Sequence, residues 1–74
     1  MLDAAWKQAE ACRNISLRQG LFTLPPALRE IARKRMENPD MSLTELGQMM
    51  DPPLSKSAVN HRLRRLMEIS ENLE

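Results

Sequence analysis

One cysteine, Cys12, leaves no intrachain disulfide possible, and with His61 as the one histidine a Cys/His zinc site is excluded too. These counts fit a reducing, cytoplasmic setting. The two glycines, Gly20 and Gly47, are too far apart for a glycine-rich phosphate loop. No apolar run approaches the ~18 residues of a membrane span, and the N-terminus lacks a signal-peptide core. His61 has no carboxylate partner placed for catalysis, Cys12 belongs to an unrelated segment, and a small bundle has little room for a substrate pocket. The expectation is therefore no enzyme, no cofactor and no metal.

What is present is helical. No stretch shows the alternation of a strand, and 74 residues make one small domain with a modest core. Such a chain fits the end of a larger protein. Residues 3–19 lack Pro and Gly, which predicts a helix favoured at its start by Asp3 and stopped by Gly20. Leu2, Ala5, Trp6, Ala9 and Cys12 can share its inner face. Trp6 is the odd residue: it either caps the core or faces a partner outside this segment, with the core reading preferred. Pro25 restrains Leu24 to an extended conformation and Pro26 suits the first helical position, so a second helix is expected from Pro26 to about Asn38, before Pro39. Leu28, Ile31, Ala32 and Met36 form its core stripe, while Arg29, Arg33, Lys34 and Arg35 form a basic cluster on its outer face.

The segment SLTELGQMMDPPLSKSAVNHRLRRL, from Ser42 to Leu66, carries the function. Ser42 and Glu45 make a capping box that starts a short helix ending near Met50, with Leu43, Leu46, Met49 and Met50 as its apolar positions. Gly47 inside that helix lets the following helix pack close. Asp51, Pro52 and Pro53 break the chain, Leu54 tucks under the turn, and Ser55 caps a fourth helix. Val59, Leu63 and Leu66 face the core; Ile69 and Leu73 either extend that helix or fray. The order is that of a helix-turn-helix in a bundle of about four helices, an all-α fold.

The net charge of only +1 does not by itself suggest nucleic acid. Its distribution does: Lys56, Arg62, Arg64 and Arg65 cluster with no acid between Ser55 and Met67, while Glu68, Glu71 and Glu74 gather beyond. Lys56, Ser57, Asn60, His61 and Arg64 are the expected base contacts. Asn60 suits adenine and Arg64 suits guanine. Ser42, Thr44, Arg62 and Arg65 are the expected phosphate contacts. The partner is double-stranded DNA, and the isolated domain is expected to be a monomer.

Three pieces of this segment, LPPALREIA (Leu24 to Ala32), ENPDMSLTELG (Glu37 to Gly47) and DPPLSKSAVNHRLRRL (Asp51 to Leu66), closely resemble the C-terminal domain of the WhiA family of bacterial transcription regulators. The last piece is the most specific, because it combines cap, core and groove-facing positions in one string. The resemblance implies a fold similar to the −35-reading domain of sigma factors. It also implies a preceding domain like a LAGLIDADG homing endonuclease, and promoter binding at genes for sporulation, cell division and chromosome segregation. It adds a WhiB-type iron–sulfur protein as partner, a nucleoid-associated cytoplasmic location, and Lys56, Ser57, Asn60, His61 and Arg64 as the base-reading set. Residues 1–20 then read as a linker-like helix and 21–74 as the DNA-binding domain. The competing reading is a protein-interaction module that docks on RNA polymerase or a sigma factor through Met41, Met49 or Trp6.

Overall fold

The computed structural model describes residues 4–73. Its helices run Ala4–Arg18 (α1), Pro26–Glu37 (α2), Leu43–Gln48 (α3) and Lys56–Asn72 (α4), with a 3-10 turn at Leu21–Thr23 before α2. The expected roles of Leu2, Asp3 and Glu74 fall outside the described residues. The domain measures 31 × 30 × 18 Å, and its short dimension matches two helix layers. α1 packs on α4 and α2, α2 also packs on α4, and α3 leans on α4.

Each boundary has a local cause. α1 stops where Gly20 takes φ of 84°, a left-handed backbone that side chains disfavour, and the Gly20 N–H donates to the Ile15 carbonyl at 2.9 Å. Leu24 is extended before Pro25, and Pro26 opens α2 at a position whose missing N–H costs nothing. α2 ends at Glu37, and the Asn38 side chain donates back to the Lys34 carbonyl at 3.0 Å. The 3-10 turn at Leu21–Thr23 was not expected; it is held by Thr23 N–H and Leu24 N–H on the carbonyls of Gly20 and Leu21.

The core comprises Cys12 and Ile15 of α1, Leu24 ahead of α2, Ile31 and Ala32 of α2, Leu46 and Met50, and Val59, Leu63 and Leu66 of α4. Leu28 and Met36 pack on its edge, as do Ile69 and Leu73, so α4 continues past Leu66 rather than fraying there. Three expectations need correction. The inner face of α1 is Gln8, Ala9, Cys12 and Ile15, which turns Trp6 outward to 39% exposure, so it does not cap the core. α3 ends a residue or two early, at Gln48, which leaves Met49 41% exposed beyond the last turn.

The third correction is Arg35. It is 1% exposed rather than part of an outer basic face. Its guanidinium donates from Nη1 to the carbonyls of Met41 at 2.6 Å and Asn38 at 3.2 Å. These bonds tie the α2–α3 link down just ahead of the Ser42 cap. Burying a guanidinium is tolerable because it replaces water on carbonyls that have no helical partner.

Candidate nucleic-acid interface

α3, the turn from Met49 to Ser55, and α4 form the helix-turn-helix. Ser42 caps α3 by accepting from Glu45 N–H at 3.2 Å, and its hydroxyl donates to the Glu45 carboxylate at 2.9 Å. Ser55 caps α4 by accepting from Ala58 N–H at 3.2 Å. Both caps fall where the sequence places them.

The two helices meet at Gly47. A Cβ there would overlap the Leu54 carbonyl oxygen and approach Val59 Cγ2 to 3.0 Å. The Leu54 N–H donates to the Gly47 carbonyl at 2.9 Å. The absent side chain therefore lets the turn fold back onto α3 and sets the separation of α3 from α4. Leu54 sits half-buried beneath the turn, against the core.

With Val59, Leu63, Leu66 and Ser70 buried, the orientation of every other α4 residue follows at ~100° per position. Ser57, His61 and Arg64 lie opposite the core and are exposed, with Arg65 beside them. Lys56 is exposed in the first turn. Asn60 is half-buried, roughly a quarter-turn from that stripe, and lines a cleft with Gln8, Arg35, Met41 and Ser42. Arg62 is half-buried on the other flank, in a cleft with Glu30, Asp51 and Leu54. Thr44 is exposed on α3, while the hydroxyl of Ser42 is engaged in its cap. The structure thus brings Ser57, His61, Arg64 and Arg65 onto one face and turns Asn60 and Arg62 to either side, with Lys56 on the Asn60 flank, exposed in the first turn. Among the described residues the side chains of Lys56, Ser57, His61, Arg64 and Arg65 make no hydrogen bond or ion pair within the domain.

The charge order of α4 opposes its dipole. The first turn holds Lys56 and no acid, and the last turn holds Glu71 and no base. Each such charge at a helix end costs about 0.3–1 kcal/mol relative to the favourable sign. α2, by contrast, has Lys34 and Arg35 in its last turn, the favoured arrangement. Local helix stability therefore does not explain the charges of α4.

Other chemistry finds little support. Cys12 is fully buried, and loss of solvent pushes its thiol from 9.0 up to about 12, with the Arg35 charge pulling weakly the other way. Among the described residues no group of His, Cys, Asp or Glu is placed to hold a metal, and no helix is long and apolar enough to cross a membrane.

The model of the WhiA C-terminal helix-turn-helix domain matches residues 1–70. A relative named probable cell division protein WhiA, from Heliobacterium modesticaldum, is 53% identical over 70 residues, covering 95% of this chain and 22% of its own length. Another of that name, from Lactococcus lactis subsp. cremoris, is 49% identical over 71 residues, covering 96% of this chain and 23% of its own. Among solved structures, full-length DUF199/WhiA from Thermatoga maritima superposes with a TM-score of 0.85 at 35% identity, covering 92% of this chain and 23% of that one. The chain thus spans less than a quarter of the length of the curated relatives it matches.

Proposed function

Because the chain belongs to the WhiA family by its C-terminal helix-turn-helix domain, we propose that it is the sequence-specific DNA-binding domain of a bacterial transcription regulator and reads the major groove with α4. The exposed stripe Ser57, His61 and Arg64, uncommitted within the domain and flanked by Arg65, carries this reading. From Ser57 to Arg64 the helix rises roughly 10 Å, within the ~12 Å width of the major groove. Arg64 pairs with guanine, and Ser57 and His61 take adjacent base edges. Lys56 reaches a base from the first turn, and Asn60 reaches an adenine only from the α1 side of the groove. Arg65, Arg62, Thr44 and the Ser42 backbone hold phosphates.

The docking proposed is that of the −35-reading domain of sigma factors, in a regulator of cell-division, segregation or sporulation genes. A domain of this size buries only about 600–1,000 Å² on DNA. Strong occupancy therefore requires the rest of the regulator or a partner.

Selection of a preferred site from a random duplex pool, followed by fluorescence anisotropy, tests the reading. Arg64→Ala is expected to weaken the selected site by about 1–3 kcal/mol and relax preference at one base pair. Arg65→Ala should weaken all sequences alike and reduce the salt slope by about one. Unchanged binding of the selected site by Arg64→Ala would refute the assigned face.

A second reading, docking on RNA polymerase, a sigma factor or a WhiB-type protein, draws on Leu17 and Phe22, each 79% exposed, together with the partly exposed Trp6 and Met49. Met41, by contrast, packs on the core edge. Partner capture that persists at high salt without DNA affinity would favour it.

A further inference from the structure

The outward stripe of α4 does not stop at Arg64. The next residue on it is Glu68, one turn on, exposed, and bordering a shallow hollow with Arg64, Met67 and Glu71. Ser57, His61, Arg64 and Glu68 are spaced i, i+4, i+7 and i+11, so one line along the helix carries hydroxyl, imidazole, guanidinium and then carboxylate. No ion pair joins Arg64 to Glu68, so the carboxylate is not committed to the arginine it follows.

Distance gives this reversal of sign a meaning. Arg64 lies roughly 10 Å along the axis from Ser57, inside the groove, whereas Glu68 lies roughly 16 Å along, beyond the ~12 Å groove width. A recognition helix entering by its N-terminal turns therefore brings Glu68 to the far phosphate wall. Resting on the reading of α4 as the recognition helix, we propose that Glu68 is a specificity-determining residue whose carboxylate repels that wall and sets how far along α4 the duplex can lie. Phosphate attraction by Arg62 and Arg65 is independent of sequence and tolerates many registers. A carboxylate on the reading line penalises every register shifted toward the C-terminus, while the register in which Arg64 meets its base keeps its contacts. The penalty therefore falls mainly on random DNA.

Glu68→Gln in the 74-residue chain tests this against Glu10→Gln, the same charge change at an exposed position on α1. Both sites are on the surface and neither makes an ion pair among the described residues, so neither variant should lose thermal stability. Anisotropy with a random-sequence 20-base-pair duplex, over a series of salt concentrations, is expected to show Glu68→Gln binding roughly threefold or more tighter than the parent, with a steeper salt slope. Glu10→Gln should match the parent. The selected site should gain less, so the specificity ratio falls.

Equal gains in the two glutamine variants would reduce the effect to net charge and overturn the proposal, as would no gain in Glu68→Gln. Weaker binding of the selected site alone would make Glu68 a reader of cytosine and overturn it as well. Failure of the DNA reading itself has a different signature: the parent would show no salt-sensitive duplex binding, and Arg64→Ala and Arg65→Ala would change nothing.

Discussion

Gly47→Ala opposes two effects whose sizes can be compared. On an ordinary helix, alanine for glycine stabilises by about 1 kcal/mol, because it restricts the unfolded chain. Here the new methyl would strike the Leu54 carbonyl oxygen and press on Val59 Cγ2 at 3.0 Å. The first of these is backbone, and it belongs to the residue whose N–H is bonded to the Gly47 carbonyl at 2.9 Å, so it cannot swing aside without breaking that bond. Val59 is fully buried and has no room to retreat. Overpacking of this kind costs about 1–3 kcal/mol, with the lost hydrogen bond adding about 1 kcal/mol. The net expectation is a loss of about 1–3 kcal/mol, which in a domain of this size lowers the melting temperature by about 4–8 °C per kcal/mol. Thermal denaturation followed by circular dichroism at 222 nm reads this directly, with the exposed Gln48→Ala as a control for helix propensity. A melting temperature equal to or above the parent's would show that α3 and α4 can separate freely, and the argument for their close approach would fail.

Other residues make separate predictions. Arg35→Met should destabilise by about 2–4 kcal/mol, because the carbonyls of Asn38 and Met41 lose their buried donor; amide exchange should rise first around residues 38–45. Arg35→Lys should rescue only part of this, since an ammonium does not reproduce the planar fork of a guanidinium. Cys12 should resist a thiol reagent at pH 8 until denaturant is added. Because its folded pKa is raised from 9.0 to about 12, the unfolded chain gives up that proton first as pH rises. Its contribution to stability should therefore be level below pH 9 and decline between 9 and about 12. Cys12→Ser, measured by denaturant melts across that range, should flatten the decline.

The parts of the fold legible in the sequence were those set by neighbours in the chain. Ser42 and Ser55 cap because a hydroxyl reaches an N–H three residues on, and Pro26 opens a helix for reasons contained in its own ring. Val59, Leu63 and Leu66 follow helical spacing into the core. Arg35 was hidden because its burial depends on where the loop carbonyls of Asn38 and Met41 arrive. Trp6 misled because its size suggested burial, whereas the spacing of Cys12 and Ile15 already marked the true inner face of α1. At the candidate interface, Asn60 was expected on one face with Ser57, His61 and Arg64, although the core spacing of α4 puts it roughly a quarter-turn from them. What the sequence could not show was how α1 and the turn crowd the flanks, leaving Asn60 and Arg62 half-buried.

Asn14 donates to the Ser70 hydroxyl at 2.9 Å and Arg18 donates to the Leu73 carbonyl at 3.3 Å, joining the first helix to the last across 56 and 55 positions of chain. Cys12 and Ile15 find Leu63 and Leu66 only through the same closure. During synthesis, α1 therefore leaves the ribosome long before the surface it needs exists. α2 and α3 emerge next, with their apolar sides still uncovered, and no partial chain can complete the core. The complete core is therefore expected to form only once α4 is available to close with α1 over the middle helices. The helix proposed to carry the DNA-facing residues is thus also the one that completes the core, so reading surface and fold are expected to form together.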